Sequence, residues 1–144
     1  MLTIFIATSS FGVHSKTPLG LLEDNGIKIL FNNTGGKLDS EDLIRLAITA
    51  DGIIAGTESY SADTLNQLKR LKVLSRLGVG IDNIDLICTQ ENSILVLRTK
   101  ISPAQAVAEF AFGLMINLSR GISLHNNQMK NSIWQKNMGS LYVQ

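Results

Sequence analysis

The apolar positions of this chain fall into five short runs, Leu2 to Ala7, Ile27 to Phe31, Gly52 to Gly56, Val73 to Leu77 and Ile94 to Leu97. Each run is nearly continuous rather than alternating, the pattern of strands covered on both faces. Helical patterns separate them. A first helix is predicted from Thr17-Pro18 to Asn25, with proline preorganised for the first turn and Asn25-Gly26 as the stop. A second runs from Ser40 to Ala50 with Leu43, Ile44, Ala47 and Ile48 on one face and Ser40 or Asp39 as its cap. Ser61 opens a third, with Leu65 and Leu68 inward. The fourth strand ends in Gly78-Val79-Gly80, and a helix to about Asn92 follows, with Asp82 or Asn83 as cap and Asp85 in its first turn. This alternation with short connections predicts an α/β fold: a flavodoxin-like, five-stranded parallel sheet with right-handed crossovers and helices on both faces.

From Pro103 the pattern changes. A single long helix is expected from residue 103 to 130, about 40 Å at 1.5 Å per residue. One face carries Val107, Phe110, Ala111, Leu114, Leu118 and Ile122, and the other carries Ala108, Phe112, Met115 and Ile116. A helix apolar nearly all round needs cover on two sides, so another domain or another subunit is expected against it. Glu109 on that helix needs a partner or water. After Ser123 the composition turns to Asn, Gln and Lys, with Trp134, the chain's only tryptophan, among them.

Composition narrows the classes. At 144 residues with 44% hydrophobic content the chain suits one domain with a real core. Thirteen basic against twelve acidic residues, without a basic run, gives no footprint for nucleic acid or an anionic membrane. The opening apolar run is too short for a signal peptide or membrane span. Cys88 is the only cysteine, which excludes an internal disulfide and a cysteine metal cluster, and a cytoplasmic setting is expected. It falls in an apolar pattern with Ile84 and Ile87, so it reads as a packed thiol.

Ligands of open α/β sheets sit beyond the carboxyl ends of the strands, which selects the loops at Thr8 to Gly12, Asn32 to Gly36, Thr57 to Tyr60, Gly78 to Asn83 and Arg98 to Pro103. Gly78-Val79-Gly80 lets the backbone approach a ligand and turn its amides toward an anion. It is no dinucleotide loop, because Asn83 stands where G-x-G-x-x-G needs its third glycine. Thr8-Ser9-Ser10 could hold a phosphate, as in flavin mononucleotide proteins. Arg98, after the fifth strand, could clamp a carboxylate or phosphate, or serve in a cap or surface ion pair. His14 and His125 have no carboxylate or cysteine at metal-ligand or triad spacing and read as surface residues.

Ser75-Arg76-Leu77-Gly78-Val79-Gly80-Ile81-Asp82-Asn83-Ile84-Asp85-Leu86, followed by Ala104-Gln105-Ala106-Val107-Ala108-Glu109, resembles the D-isomer-specific 2-hydroxyacid dehydrogenases. The Ala55-Gly56-Thr57-Glu58 loop is most similar to the phosphoglycerate dehydrogenase branch. The resemblance implies the substrate-binding (catalytic) domain over residues 1–102, a bridging helix over 103–130, and over 131–144 the connection to an NAD-binding Rossmann domain. It implies that the Val79 and Gly80 amides, with Gly78, bind the carboxylate of a small 2-hydroxy or 2-keto acid, and that Thr57 and Glu58 lie beside it. It also places Gln105 and Val107 near the nicotinamide. Arg98 completes the set of candidate substrate contacts.

In the family a G-x-G-x-x-G strand begins just after the position of Tyr142, and the acid/base histidine comes later. The expectation is therefore a truncated form with no catalytic residue of its own. NAD is expected in the complete enzyme and not on this chain alone, which should be inactive because both reactants must be held together. Pro103 stands where some relatives carry a substrate-facing asparagine. The rival reading is a non-catalytic module that dimerises or docks through the apolar helix. A homo-oligomer through that helix is expected in either case.

Overall fold

The computed structural model describes residues 1–136. Two compact units divide at Ile101 and Ser102. In the first, β1 (Thr3–Ile6), β2 (Lys28–Phe31), β3 (Gly52–Ala55), β4 (Val73–Arg76) and β5 (Leu95–Arg98) form one parallel sheet in the order β2-β1-β3-β4-β5. The order is the flavodoxin-like one expected from the alternation. The connecting helices are α1 (Thr17–Asp24), α2 (Ser40–Ala47), α3 (Ala62–Leu65) and α4 (Leu86–Glu91).

Right-handed crossovers put α1 on one face, because β2 lies to one side of β1, and α2, α3 and α4 on the other, because the chain then moves back across β3 to β5. The core lies under the three helices. Phe5, Ile53 and Leu74 project from the central strands against Leu43, Leu65, Leu68 and Cys88, all buried. The caps are those the sequence offers: the Asp39 side chain accepts from the Asp42 amide, and the Ser61 hydroxyl accepts from the Thr64 amide. Asn25 ends α1, and Gly26 takes a positive φ of 66° after it.

Asp51 fastens the amino ends of three strands. Its carboxylate accepts from the Thr3 amide at 3.0 Å and pairs with Arg70 at 3.2 Å and Lys72 at 3.7 Å, while its carbonyl accepts from the Lys72 amide at 2.8 Å. The Thr3 hydrogen bond first, and the Arg70 and Lys72 charges with it, hold its carboxyl below the usual 3.8 against the opposing effect of desolvation.

Two helix expectations are corrected. The fourth helix does not start at Asp82 or Asn83: its cap is Asp85, whose side chain accepts from the Cys88 amide at 2.9 Å. The preceding residues are held elsewhere, since Ile84 bridges Tyr60 and the Asn83 side chain is committed to the neighbouring loop. In the second unit the long C-terminal helix is present as α5 (Ala104–Arg120, 17 residues), but it does not run on to Lys130. Gly121 adopts the left-handed conformation with φ of 61°, and α6 (Ile122–Lys130) continues at a bend of 63°. Asn117 fixes the break, its Oδ1 accepting from the Ser123 amide at 2.8 Å and the Ser123 hydroxyl at 2.9 Å. Among the described residues no single helix is long and apolar enough to cross a membrane. The connection expected over 131–144 lies outside the described residues from position 137 on.

Candidate functional site

Three of the five strand-end loops, those after β1, β2 and β3, meet at the carboxyl edge of the sheet beside the end of β4. A cleft of about 310 Å³ opens there, lined among others by Thr8, Ser10, Lys37, Gly56, Glu58 and Arg76. Its neighbour is the loop from Gly78 to Asn83.

That loop is tethered on both sides. Toward β5, the Thr99 hydroxyl accepts from the Gly78 amide at 3.1 Å, the Thr99 amide donates to the Gly78 carbonyl at 3.1 Å, and the Arg98 guanidinium donates to the Val79 carbonyl at 3.2 Å. Toward β3, the Asn83 side-chain amide donates to the carbonyls of Glu58 at 2.6 Å and Gly56 at 3.2 Å. The backbone adds Tyr60 N to Asn83 O at 2.8 Å and Asp85 N to Tyr60 O at 2.9 Å. Gly78 carries φ of 151°, so the backbone favours glycine there, and a Cβ would also push aside the guanidinium tip of Arg76, 2.6 Å away at Nη1. The amides of Val79 and Gly80, like those of Ile81, Asp82 and Asn83 after them, have no hydrogen-bond partner among the described residues. Two adjacent free amides at a glycine turn are the kind of donors that a carboxylate accepts from.

The other candidate residues are distributed unequally. Thr57 is exposed at the cleft rim, whereas Glu58 beside it is buried at 3% exposure. Glu58 Oε2 accepts from the Gly56 amide at 2.8 Å and the Tyr60 hydroxyl at 3.3 Å. Burial first, and then the charge and hydrogen bond of Glu58, push the Tyr60 phenol well above its ordinary range, with Arg76 opposing. Arg98 is the last residue of an exposed edge strand and holds the Val79 carbonyl, so its role here is bracing the loop. Gln105 and Val107 are exposed at the start of α5, in the second unit, and the Gln105 side chain donates to Glu109 at 3.0 Å.

Sequence reasoning passed over the Arg76 side chain and gave Asn83 a capping role in place of its tethering one. Arg76 lines the cleft, donates to its neighbour Leu77's carbonyl, and has a sealed Nε without a partner among the described residues. Its signal was present, an arginine inside an apolar strand just before a glycine turn. His125 is corrected: it is half-buried, with Nε2 sealed from solvent, rather than a surface residue. His14 is exposed and Cys88 is packed. No group of three or more His, Cys, Asp or Glu side chains among the described residues is placed to hold a metal ion.

A dinucleotide does not fit the glycine loop. The turn lacks the third glycine, and α4 starts only at Leu86, is six residues long and has its first turn capped by Asp85, so it offers no free helix terminus to a pyrophosphate. Fold and loop together define an open, parallel α/β domain with a tethered glycine loop at the carboxyl edge of its sheet. The chain belongs to the D-isomer specific 2-hydroxyacid dehydrogenases, matching the catalytic domain of that family of oxidoreductases over residues 6–141. It is 30% identical to the hydroxypyruvate reductase of Thermotoga maritima over 132 residues, covering 88% of this chain and 42% of that protein. Among solved structures, the TT0316 protein of Thermus thermophilus superposes with a TM-score of 0.82 at 22% identity, over 97% of this chain and 44% of that one, a likeness of fold. An NAD+-bound 3-phosphoglycerate dehydrogenase from Entamoeba histolytica matches with a TM-score of 0.70 at 27% identity, over 83% of this chain and 39% of that one. The chain thus spans about two fifths of the length of these relatives.

Proposed function

We propose that this chain forms the acid-binding half of an NAD-dependent D-2-hydroxyacid dehydrogenase of the phosphoglycerate dehydrogenase type. The observation that carries the reading is the glycine turn from Gly78 to Gly80, braced by Thr99, Arg98 and Asn83, whose Val79 and Gly80 amides have no partner among the described residues. They hold the carboxylate of a 2-hydroxy or 2-keto acid, with Gly78 allowing the close approach and Thr57 and Glu58 flanking the ligand. Arg98 contributes by fixing the loop.

The complete enzyme interconverts a D-2-hydroxy acid and its 2-keto acid. NAD supplies the hydride acceptor and is held by residues outside this chain, with Gln105 and Val107 on its nicotinamide side. In this division residues 1–102 hold the substrate, 103–130 bridge, and 131–144 lead on to the dinucleotide domain. The chain alone neither binds NAD nor turns over, because hydride transfer requires both reactants in one near-attack geometry. The setting is the cytoplasm. Exposed Val107, Phe110 and Leu118 on α5 favour self-association through that helix.

Calorimetric titration with pyruvate and with pyruvamide, which lacks only the carboxylate, tests the reading. Millimolar binding of pyruvate with none of the amide is expected. Equal binding of the two would remove the carboxylate cradle from the account.

A further inference from the structure

A parallel sheet needs cover on both faces, and in the first unit one face has it only in part. Phe5, Ile53, Leu74 and Val96 point to the core under α2, α3 and α4. Their strand neighbours alternate to the opposite face. By register Ile4, Gly52, Val73 and Leu95 form one row across it, and Ile54, Ser75 and Leu97 a second. The one helix on that side, α1, packs against β2 at the far end of the sheet. Leu95 and Leu97 are left exposed at 56% and 48%, and a hollow of about 270 Å³ opens among Ile4, Gly52, Ile54 and Val73. Neither row carries a charge, since Asp51 and Lys72 stand at the amino rim, paired with each other.

The helix α5 has a surface to match. At 100° per residue Val107, Phe110, Ala111, Leu114 and Leu118 fall in one stripe, and Glu109 and Arg120, the helix's two charges, fall on the opposite side. Within the second unit it is the side away from the stripe that finds cover, Ser119 being buried and Ile116 half-buried. The stripe itself stays exposed. From Val107 to Leu118 it runs about 16 Å, close to the roughly 14 Å width of β1, β3, β4 and β5 side by side.

We propose that α5 of a second copy of this chain covers the open sheet face, and that the exchange is mutual, giving a closed two-fold dimer. The proposal rests on the reading that α5 mediates self-association, and it adds the surface on which the helix lands. Both patches bury apolar area without taking a charge out of water, and the mutual exchange doubles that area. A second copy suits the face better than an unrelated partner because every chain offers one stripe and one open face, in equal number.

Sedimentation of the full 144-residue chain tests it. Wild type is expected to be a dimer at micromolar concentration. Leu118→Glu on the stripe and Leu97→Glu on the open face, both exposed positions, should each weaken association about a hundredfold, because each puts a charge into both patches. If Leu118→Glu dissociates the dimer and folded Leu97→Glu does not, self-association through α5 stands and its docking on the sheet is overturned. A wild-type monomer overturns both and leaves the face to a segment from outside this chain. Cysteine pairs decide the matter even where Leu97→Glu fails to fold. Leu97→Cys mixed with Leu114→Cys should be joined by a short bis-maleimide, while Cys88, being buried, stays silent. Joining of Leu114→Cys only to itself would mean helix on helix and contradict the proposal.

Discussion

The cradle loop at Gly78 to Asn83 and the α5–α6 segment are both placed after a sheet strand, and they are stabilised in opposite ways. The loop lays only Ile81 against the core, and six hydrogen bonds to residues on either side fix its course. The helices are rich in apolar side chains that stay exposed, including Phe110 at 69% and Leu118 at 79%, and their defining interactions are local, from Asn117 to Ser123 and from Gln105 to Glu109. A small-ligand site must be rigid before the ligand arrives, and directional bonds to a rigid scaffold achieve that. An apolar helical surface carries no such instruction by itself; it gains free energy only when something covers it.

Substitutions of one residue type sharpen the contrast first. Phe5→Ala, at a fully buried position, should cost about 3–5 kcal/mol in denaturant unfolding. Phe110→Ala, on the exposed face of α5, should stay within about 0.5 kcal/mol in a dilute monomer. A loss of several kcal/mol at Phe110 under those conditions would show that α5 is already covered. Next in size is Asn83→Ala, which leaves the Gly56 and Glu58 carbonyls unpaired and should destabilise by about 1–3 kcal/mol while weakening acid binding. Unchanged acid affinity in that variant would break the claim that the tethers preorganise the cradle.

On the helical side, Gly121→Ala places a Cβ at φ of 61° and should cost about 1–2 kcal/mol, read as a lower thermal midpoint. Its Cβ would meet the His125 ring only at 3.6 Å, so the penalty comes from the backbone alone, and an Asn at that position should recover part of it. The last test, of Asp51, is read through pH. Its folded carboxyl titrates below the usual 3.8, so the stability it contributes is present above that value and lost as pH falls through the lower, folded one. Acid unfolding of Asp51→Asn followed by circular dichroism should lack that limb, with a shallower decline below about pH 4 than wild type.

The strands and their order were legible because β1, β3 and β4 are short continuous apolar runs bounded by strong breakers, and because Asp39, Ser61 and Asn25 are caps that act within their own turn. The Gly78-Val79-Gly80 turn was legible for the same local reason. What escaped was settled over long sequence separations. Asn83 looked like a helix cap, but its side chain is spent on carbonyls more than twenty residues away. That commitment moves the start of α4 to Leu86. Gly121 falls inside the single helix expected over 103 to 130, where glycine costs only about 1 kcal/mol. Asn117 and Ser123 make the break the better choice. Arg76 disappeared into the apolar strand that carries it, and the buried carboxylate of Glu58 depends on Gly56 and Tyr60 around it.

The central claim is that the Val79 and Gly80 amides wait for a carboxylate. The most direct measurement is a ¹⁵N amide titration with millimolar pyruvate at constant pH and ionic strength. The account predicts saturable downfield shifts at Val79 and Gly80, with Gly78, already bonded to Thr99, moving least of the three. Shifts spread over surface amides without saturation, or none at Val79 and Gly80, would contradict it.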